Sequence, residues 1–188
     1  MGADRMSWLS LVFVLIAAYL AVFLEAAFAG FRDLVGVQLD LLPALMVYAA
    51  LSGGILTVTL LAVVGGLLFD SISANPLGVS VLPLIFAGGA IHAGRELILR
   101  DQRFAQLFLG LAASTAVPLL TLIILMTTGH KPLLGWGTLW QLAVMGAGGA
   151  LITPPCFHLF ARLERALIHS RAPETSFRAD REIRRGRN

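Results

Sequence analysis

Leu41 to Asp70 reads LLPALMVYAALSGGILTVTLLAVVGGLLFD, and the way this stretch divides decides the fold. From Leu41 to Phe69 it runs 29 residues without a charge. As one helix it would be about 43 Å long, against a hydrocarbon layer of about 30 Å, so a single crossing demands heavy tilt. Gly53-Gly54 sits near its middle, where glycine weakens a helix. The stretch therefore predicts a hairpin of two short helices, Leu39–Ser52 and Gly54–Asp70.

The rest of the chain carries the same signature. Of its 188 residues 57% are hydrophobic and 13% charged, with a mean hydropathy of +0.83. Soluble domains carry about 25% charged residues. No charge falls between Trp8 and Val22 or between Phe104 and Gly129, and His92 is the sole ionisable residue from Ser71 to Gly94. Uncharged apolar runs of this length read as membrane-spanning helices. The expected fold is all-α and polytopic, with six spans at about 6–29, 39–52, 54–70, 79–99, 104–128 and 137–161. These make one transmembrane domain, 1–165, followed by a basic, disordered tail, 166–188. Ala27-Phe28-Ala29-Gly30 imitates a signal-peptidase site, but the preceding apolar run is longer than a signal sequence uses, so an uncleaved first helix is expected.

Basic residues orient the bundle. With six spans, one side receives Arg5, the loop residues Arg95, Arg100 and Arg103, and the tail, together 12 of the 14 basic residues. The other side receives Arg32 and Lys131. Both termini are expected in the cytoplasm. A five-span chain would exchange only Arg5 with Arg32, so helix length rather than charge favours six. The tail from Arg162 holds 8 basic and 4 acidic residues, which suits a topology anchor and an anionic inner leaflet. Nothing in the sequence points to nucleic acid.

Ionisable residues inside a membrane are costly and mark candidate sites. They are Glu25, Asp40, Asp70 and His92. The three carboxylates fall near outer helix ends, where turn chemistry suffices, and Asp70 is expected to bond the backbone of Ser71–Asn75. His92, Arg95 and Glu96 share a helix face and form an inner-interface polar cluster. No metal-ligand spacing, nucleophile arrangement or phosphate-binding loop is present, so no cofactor, metal or catalytic residue is assigned. Cys156, the single cysteine, reads as a small buried hydrophobe. Small residues four apart mark close helix contacts, either within the bundle or with a partner. They occur at Ala62 and Gly66, Gly89 and Ala93, and Gly146 and Ala150. Pro43 near a helix start is tolerated, whereas Pro154-Pro155 lies deep in the last span and is expected to bend it.

One ordered set of motifs resembles a known family. Asp40-Leu41-Leu42-Pro43 opens a short span, Gly65-Gly66-Leu67-Leu68-Phe69-Asp70 closes the next, and Asn75-Pro76-Leu77-Gly78 turns into the fourth. This resembles the rod shape-determining MreD family of small bacterial inner-membrane proteins, over roughly Leu39 to Gly94. The resemblance implies that Asp40, Pro43, Gly66, Asp70, Asn75, Pro76, Leu77 and Gly78 occupy family motif positions. It implies a fold similar to the six-helix substrate-binding subunits of vitamin transporters. It also implies a non-enzymatic role in the cell-elongation complex. There the partners are the bitopic protein MreC, the actin-like MreB, and the peptidoglycan polymerase and transpeptidase, with membrane lipids around them. The competing expectation is a small-molecule binding or transporter subunit. That would need polar groups converging at mid-membrane, where this sequence offers only Tyr48, Thr57, Thr59, Ser114 and Thr121.

Overall fold

The structure is a computed structural model that describes residues 2–27, 40–73, 75–96, 102–129 and 135–169, with side chains described outside 2–10 and 164–169. These residues form six helices, and no strand occurs among them. They are α1 (Gly2–Ala27), α2 (Leu42–Ser52), α3 (Ile55–Ile72), α4 (Val81–Ala93), α5 (Arg103–Thr127) and α6 (Trp136–His169).

The long apolar stretch divides at Gly53-Gly54, as the length argument requires. Gly53 is extended at ψ −178° and Gly54 at ψ 168°, so the helical path stops and restarts across two residues. Gly53 still donates to the Ala49 carbonyl at 2.8 Å, closing the last turn of α2. Pro43 occupies the first turn of α2, where the missing amide costs nothing.

The α2 helix is the centre of the bundle. Ten of its eleven residues are buried, and it packs against all five other helices. Its side chains share one buried apolar cluster with Val14, Ala18 and Val22 from α1, Val58 and Leu61 from α3, Leu84 and Ala87 from α4, and Ala113 and Val117 from α5. Tyr48 stacks on Phe160 with centroids 4.4 Å apart and meets Phe157 edge-on at 5.2 Å. A helix that is apolar all round belongs inside a bundle.

Three helical stretches are long and apolar enough to cross a membrane: Ile55–Ile72, Arg103–Thr127 and Trp136–Leu163. Three more are apolar but shorter, at Leu11–Ala27, Leu42–Ser52 and Val81–Ala93. The outward faces are covered by large apolar side chains, among them Phe23, Leu82, Phe86, Phe108, Leu139 and Leu151. Such a surface fits hydrocarbon rather than water.

Two helix ends differ most from the sequence expectation. The fourth helix ends at Ala93 rather than Leu99, because Gly94 adopts a turn whose amide donates back to Ala90; Leu97 to Leu99 lie outside the described residues. The sixth runs on to His169 and passes through Pro154-Pro155 without a break in the helix. Arg32, Arg100, Lys131 and the tail from Ser170 also lie outside the described residues.

The α5–α6 pair is the most extensively packed in the molecule. A Cβ built on Gly110 would sit 2.7 Å from the Gly149 carbonyl, and one on Gly149 would collide with Ser114. Backbones this close are the packing solution lipid favours, since apolar area alone gives no drive there.

Candidate functional site

The carboxylates that the sequence singled out gather at one end of the bundle, and each is engaged with a helix start. The first amides of a helix have no acceptor within it. At α2 these are Leu41 N–H, Leu42 N–H and the position Pro43 leaves without a donor. Glu25, at the end of α1, accepts from Leu41 N through Oε1. Asp40 accepts from Leu42 N through Oδ1 at 2.9 Å. Asp70 does the same for α4. Its Oδ2 accepts from Gly78 N at 2.8 Å and from Ser80 N at 3.1 Å.

This corrects the expectation that Asp70 bonds the segment just after it. The α3 helix continues past Asp70 to Ile72, so the side chain stays on the bundle side and reaches across the turn. The Ser71–Asn75 segment instead uses its own hydroxyls: Ser71 donates to the Leu68 carbonyl at 2.7 Å. Gly78 adopts φ +89°, a left-handed conformation that favours glycine. That conformation presents its amide to Asp70. Pro76 and Leu77 form the exposed outer edge of the turn, with Leu77 71% exposed, and Asn75 is half-buried in the bend.

The electrostatics favour this use. Helix N-termini carry partial positive charge, and a carboxylate near one is stabilised by about 0.3–2 kcal/mol, the upper values in buried geometry. Asp70 is only 2% exposed and Asp40 8%. Asp40 lies within electrostatic range of both Glu25 and Asp70. Their second oxygens are less well served: Glu25 Oε2 and Asp70 Oδ1 are buried without a hydrogen-bond partner.

The opposite end of α2 is held by basic groups. His92 Nδ1 lies 3.0 Å from the Ala50 carbonyl, and a carbonyl can only accept, so this nitrogen carries the proton. Arg95 Nη1 donates to the Gly53 carbonyl at 3.2 Å. His92, Arg95 and Glu96 therefore do not share a helix face as the sequence spacing implied. His92 is in the last turn of α4, while Arg95 and Glu96 lie in the turn beyond it, exposed. What joins His92 and Arg95 is the carbonyl end of α2, where donors and positive charge complement the dipole.

The small-residue pairs divide between inner and outer faces. Ala62 is fully buried, and a Cβ on Gly66 would sit 2.9 Å from Val81 Cγ2 and 3.1 Å from its Cα, so this pair seats α4 on α3. Gly146 faces Thr115 of α5, and Ala150 is half-buried beside it. Gly89 has nothing within 4 Å of its Cβ position, and Ala93 is exposed. Cys156 is half-buried rather than buried.

Sequence reasoning missed the partners of these groups. The Glu25–Leu41 contact spans 16 residues of sequence and the His92–Ala50 and Arg95–Gly53 contacts 42 each. Among the described residues no group of three His, Cys, Asp or Glu is arranged to hold a metal ion. The hydroxyls of Thr121 and Thr153 are turned onto the carbonyls of Val117 and Gly149 in their own helices, at 2.9 and 2.7 Å. Comparison with known proteins finds no matching family model, curated protein or solved structure.

Proposed function

We propose that this chain is a non-enzymatic membrane scaffold. It spans the bacterial inner membrane six times with both termini in the cytoplasm and works in the cell-elongation complex that builds peptidoglycan. It binds an MreC-like bitopic protein and holds it beside the wall polymerase and transpeptidase. The motif resemblance from Leu39 to Gly94 supplies the family. The fold it implies is that of the six-helix vitamin-transporter subunits. The helical break at Gly53-Gly54 supports an even number of spans, and the 12-to-2 division of basic residues supports cytoplasmic ends.

The observation that carries the non-enzymatic reading is the engagement of Asp70. A membrane-buried carboxylate is by default a transport or catalytic candidate. Here its Oδ2 is spent on two amides of the following turn. One oxygen each of Glu25 and Asp40, with His92 Nδ1 and Arg95 Nη1, is likewise engaged at a helix end. A transporter site would instead have such groups converge on substrate.

The proposed partner face is the open side of α4, where Leu82, Phe86, Gly89 and Ala93 face outward. A transmembrane helix can approach closely at Gly89 without displacing anything. The test is Gly89→Leu, with co-purification of the MreC-like protein as readout. The variant is expected to purify folded and monodisperse, since the added side chain meets no neighbour within the chain, and to lose the partner. A folded Gly89→Leu protein that keeps its partner would remove this face from consideration.

A further inference from the structure

The last helix interrupts its own hydrogen-bond ladder at one place. Pro154 and Pro155 have no N–H, so the carbonyls of Ala150 and Leu151 lack the donor four residues on. The helical path continues, with Thr153 bonded to Gly149 just before the gap and Phe157 packed on Tyr48 just after it. The other described prolines within helices leave nothing open to the outside. Pro43 and Pro83 stand in the first turns of α2 and α4, where no rung is lost. Pro118 frees the Ser114 carbonyl, but Ser114 is buried.

The gap in α6 faces outward. A helical carbonyl lies between its own residue and the one four further on, and Leu151 and Pro155 are both exposed. The α5 helix packs on the opposite side, at Gly146, Gly149 and Thr153. Leu151 is the 16th of the 28 apolar-segment residues from Trp136 to Leu163. It therefore lies about 22 Å from one end and about 18 Å from the other. Headgroups do not reach the middle of the hydrocarbon layer, and an acyl chain has no donor to offer. Among the described residues no side chain donates to either carbonyl, since Thr153 Oγ1 is already on Gly149.

His158 adds a second polar group to the same face, seven residues on. It is exposed, lies five residues inside Leu163, and makes no hydrogen bond among the described residues. Helical side chains lean toward the helix start, so His158 leans into the layer rather than out to the nearer rim. A polar side chain on a membrane-facing surface marks a functional contact. Ala143 and Ala147 are exposed on this face as well, so another helix can come close to it.

We propose that the outward face of α6 receives the transmembrane helix of a partner protein. That helix carries a hydroxyl or primary amide at mid-membrane, opposite Leu151. It carries a second polar side chain about two turns nearer the Arg162 end, opposite His158. The inference rests on the membrane-spanning reading, and its site is separate from the α4 face assigned to the MreC-like helix.

The experiment measures energy transfer in dioleoyl phosphatidylcholine vesicles between the full chain and synthetic transmembrane peptides. The chain carries Cys156→Ala and a donor dye on Gln102→Cys, an exposed position at the start of α5. The peptides are Leu-Ala helices of about 22 residues with an acceptor dye. One has Leu at its centre, one has Asn there, and one has the central Asn with Gln seven residues on. The Asn peptide is expected to bind about 5–30-fold more tightly than the Leu peptide. The added Gln should tighten binding further, and His158→Leu should remove that increment alone. Pro154→Ala/Pro155→Ala restores both donors and favours helix, so it should fold and bind the Leu and Asn peptides equally. Ala147→Leu, whose added volume points away from the bundle, should weaken all three peptides. Equal binding of the Leu and Asn peptides to the unaltered face would overturn the proposal. So would an Asn preference that survives the double alanine variant. If that variant does not fold, undiminished Asn-peptide binding by Ala147→Leu is the overturning result. A chain that fails to float with the vesicles would overturn the membrane reading itself, a distinct outcome.

Discussion

The two flanks of the bundle solve one problem in different ways. In lipid, helices gain nothing from apolar burial alone, so association must come from polar bonds or from close packing. The α2–α4 flank packs closely at Gly66 and Gly88 and adds polar bonds at its rims. Glu25, Asp40 and Asp70 hold helix starts at one end, and His92 and Arg95 hold the carbonyl end of α2 at the other. The α5–α6 flank uses packing through its middle, where Gly110, Gly146 and Gly149 let hydroxyl-bearing neighbours sit against backbone. The difference follows length. Short helices place their ends, with their orphan amides and carbonyls, close to the apolar layer, where those groups need partners. Long helices have more length to devote to contact.

The comparison makes the long flank intolerant of volume and the short flank intolerant of lost acceptors. The largest effect is expected at Gly149→Leu. A Cβ there already collides with Ser114 and lies 3.0 Å from the Gly110 carbonyl, so the α5–α6 pair must separate. Overpacking costs typically 1–3 kcal/mol and more when backbone must move, so a loss of at least about 3 kcal/mol is expected. Size-exclusion and thermal unfolding in mild detergent read it as an aggregated or early-melting protein. A Gly149→Leu protein that melts with wild type would break the packing half of the comparison.

Asp70→Ala comes next. It strips the acceptor from two amides in one turn. A buried donor left unpaired costs about 1–3 kcal/mol, and the pair shares one turn that water can partly reach, so about 2–4 kcal/mol is expected. The loss should be local, with deuterium exchange rising at Gly78 to Val81 before it rises in α5 or α6. Uniform exchange across all helices would contradict the local role. Arg95→Ala is expected to cost less, about 0.5–1 kcal/mol, since the bond to Gly53 is single and exposed. Arg95→Gln, which keeps a donor, should recover part of it in the same thermal measurement.

Much of this is legible in the sequence. The Gly53-Gly54 break followed from helix length against bilayer thickness, a comparison that needs only a residue count. Pro43 at a helix start and the Asp70–Gly78 turn followed from the conformations proline and glycine allow. What could not be read was which distant group each polar side chain would meet. Sequence spacing put His92, Arg95 and Glu96 on one face, whereas Gly94 ends the helix and lets Arg95 turn toward Gly53. The nearest polar backbone after Asp70 was Ser71–Asn75, but helix continuation to Ile72 aims the carboxylate at Gly78 and Ser80 instead. Likewise, small residues four apart looked equivalent at three places. Only the packed bundle distinguishes Gly89, which is open, from Gly66 and Gly146, which are filled.

The smallest expected effect is the most discriminating. Asp70→Asn keeps an oxygen where Oδ2 sits, so both amides retain an acceptor. What it removes is charge, and two consequences oppose each other. The interaction with the N-terminal end of α4 weakens, by about 0.3–1 kcal/mol on ordinary helix-dipole values. Against this, a buried site loses a negative charge that Asp40 feels. The second oxygen, buried without a partner in the wild type, becomes an amide nitrogen or exchanges places with it. These gains are of the same size, so the variant is expected to unfold within about 1 kcal/mol of wild type. Partner co-purification should be unchanged, because the turn geometry is unchanged. Folded, stable Asp70→Asn protein that no longer binds its partner would show that the charge acts beyond the turn. The same stable protein with an abolished transport or hydrolytic activity would sink the scaffold reading altogether. The two results fall on different assays, and thermal unfolding of the same sample establishes that neither comes from a damaged fold.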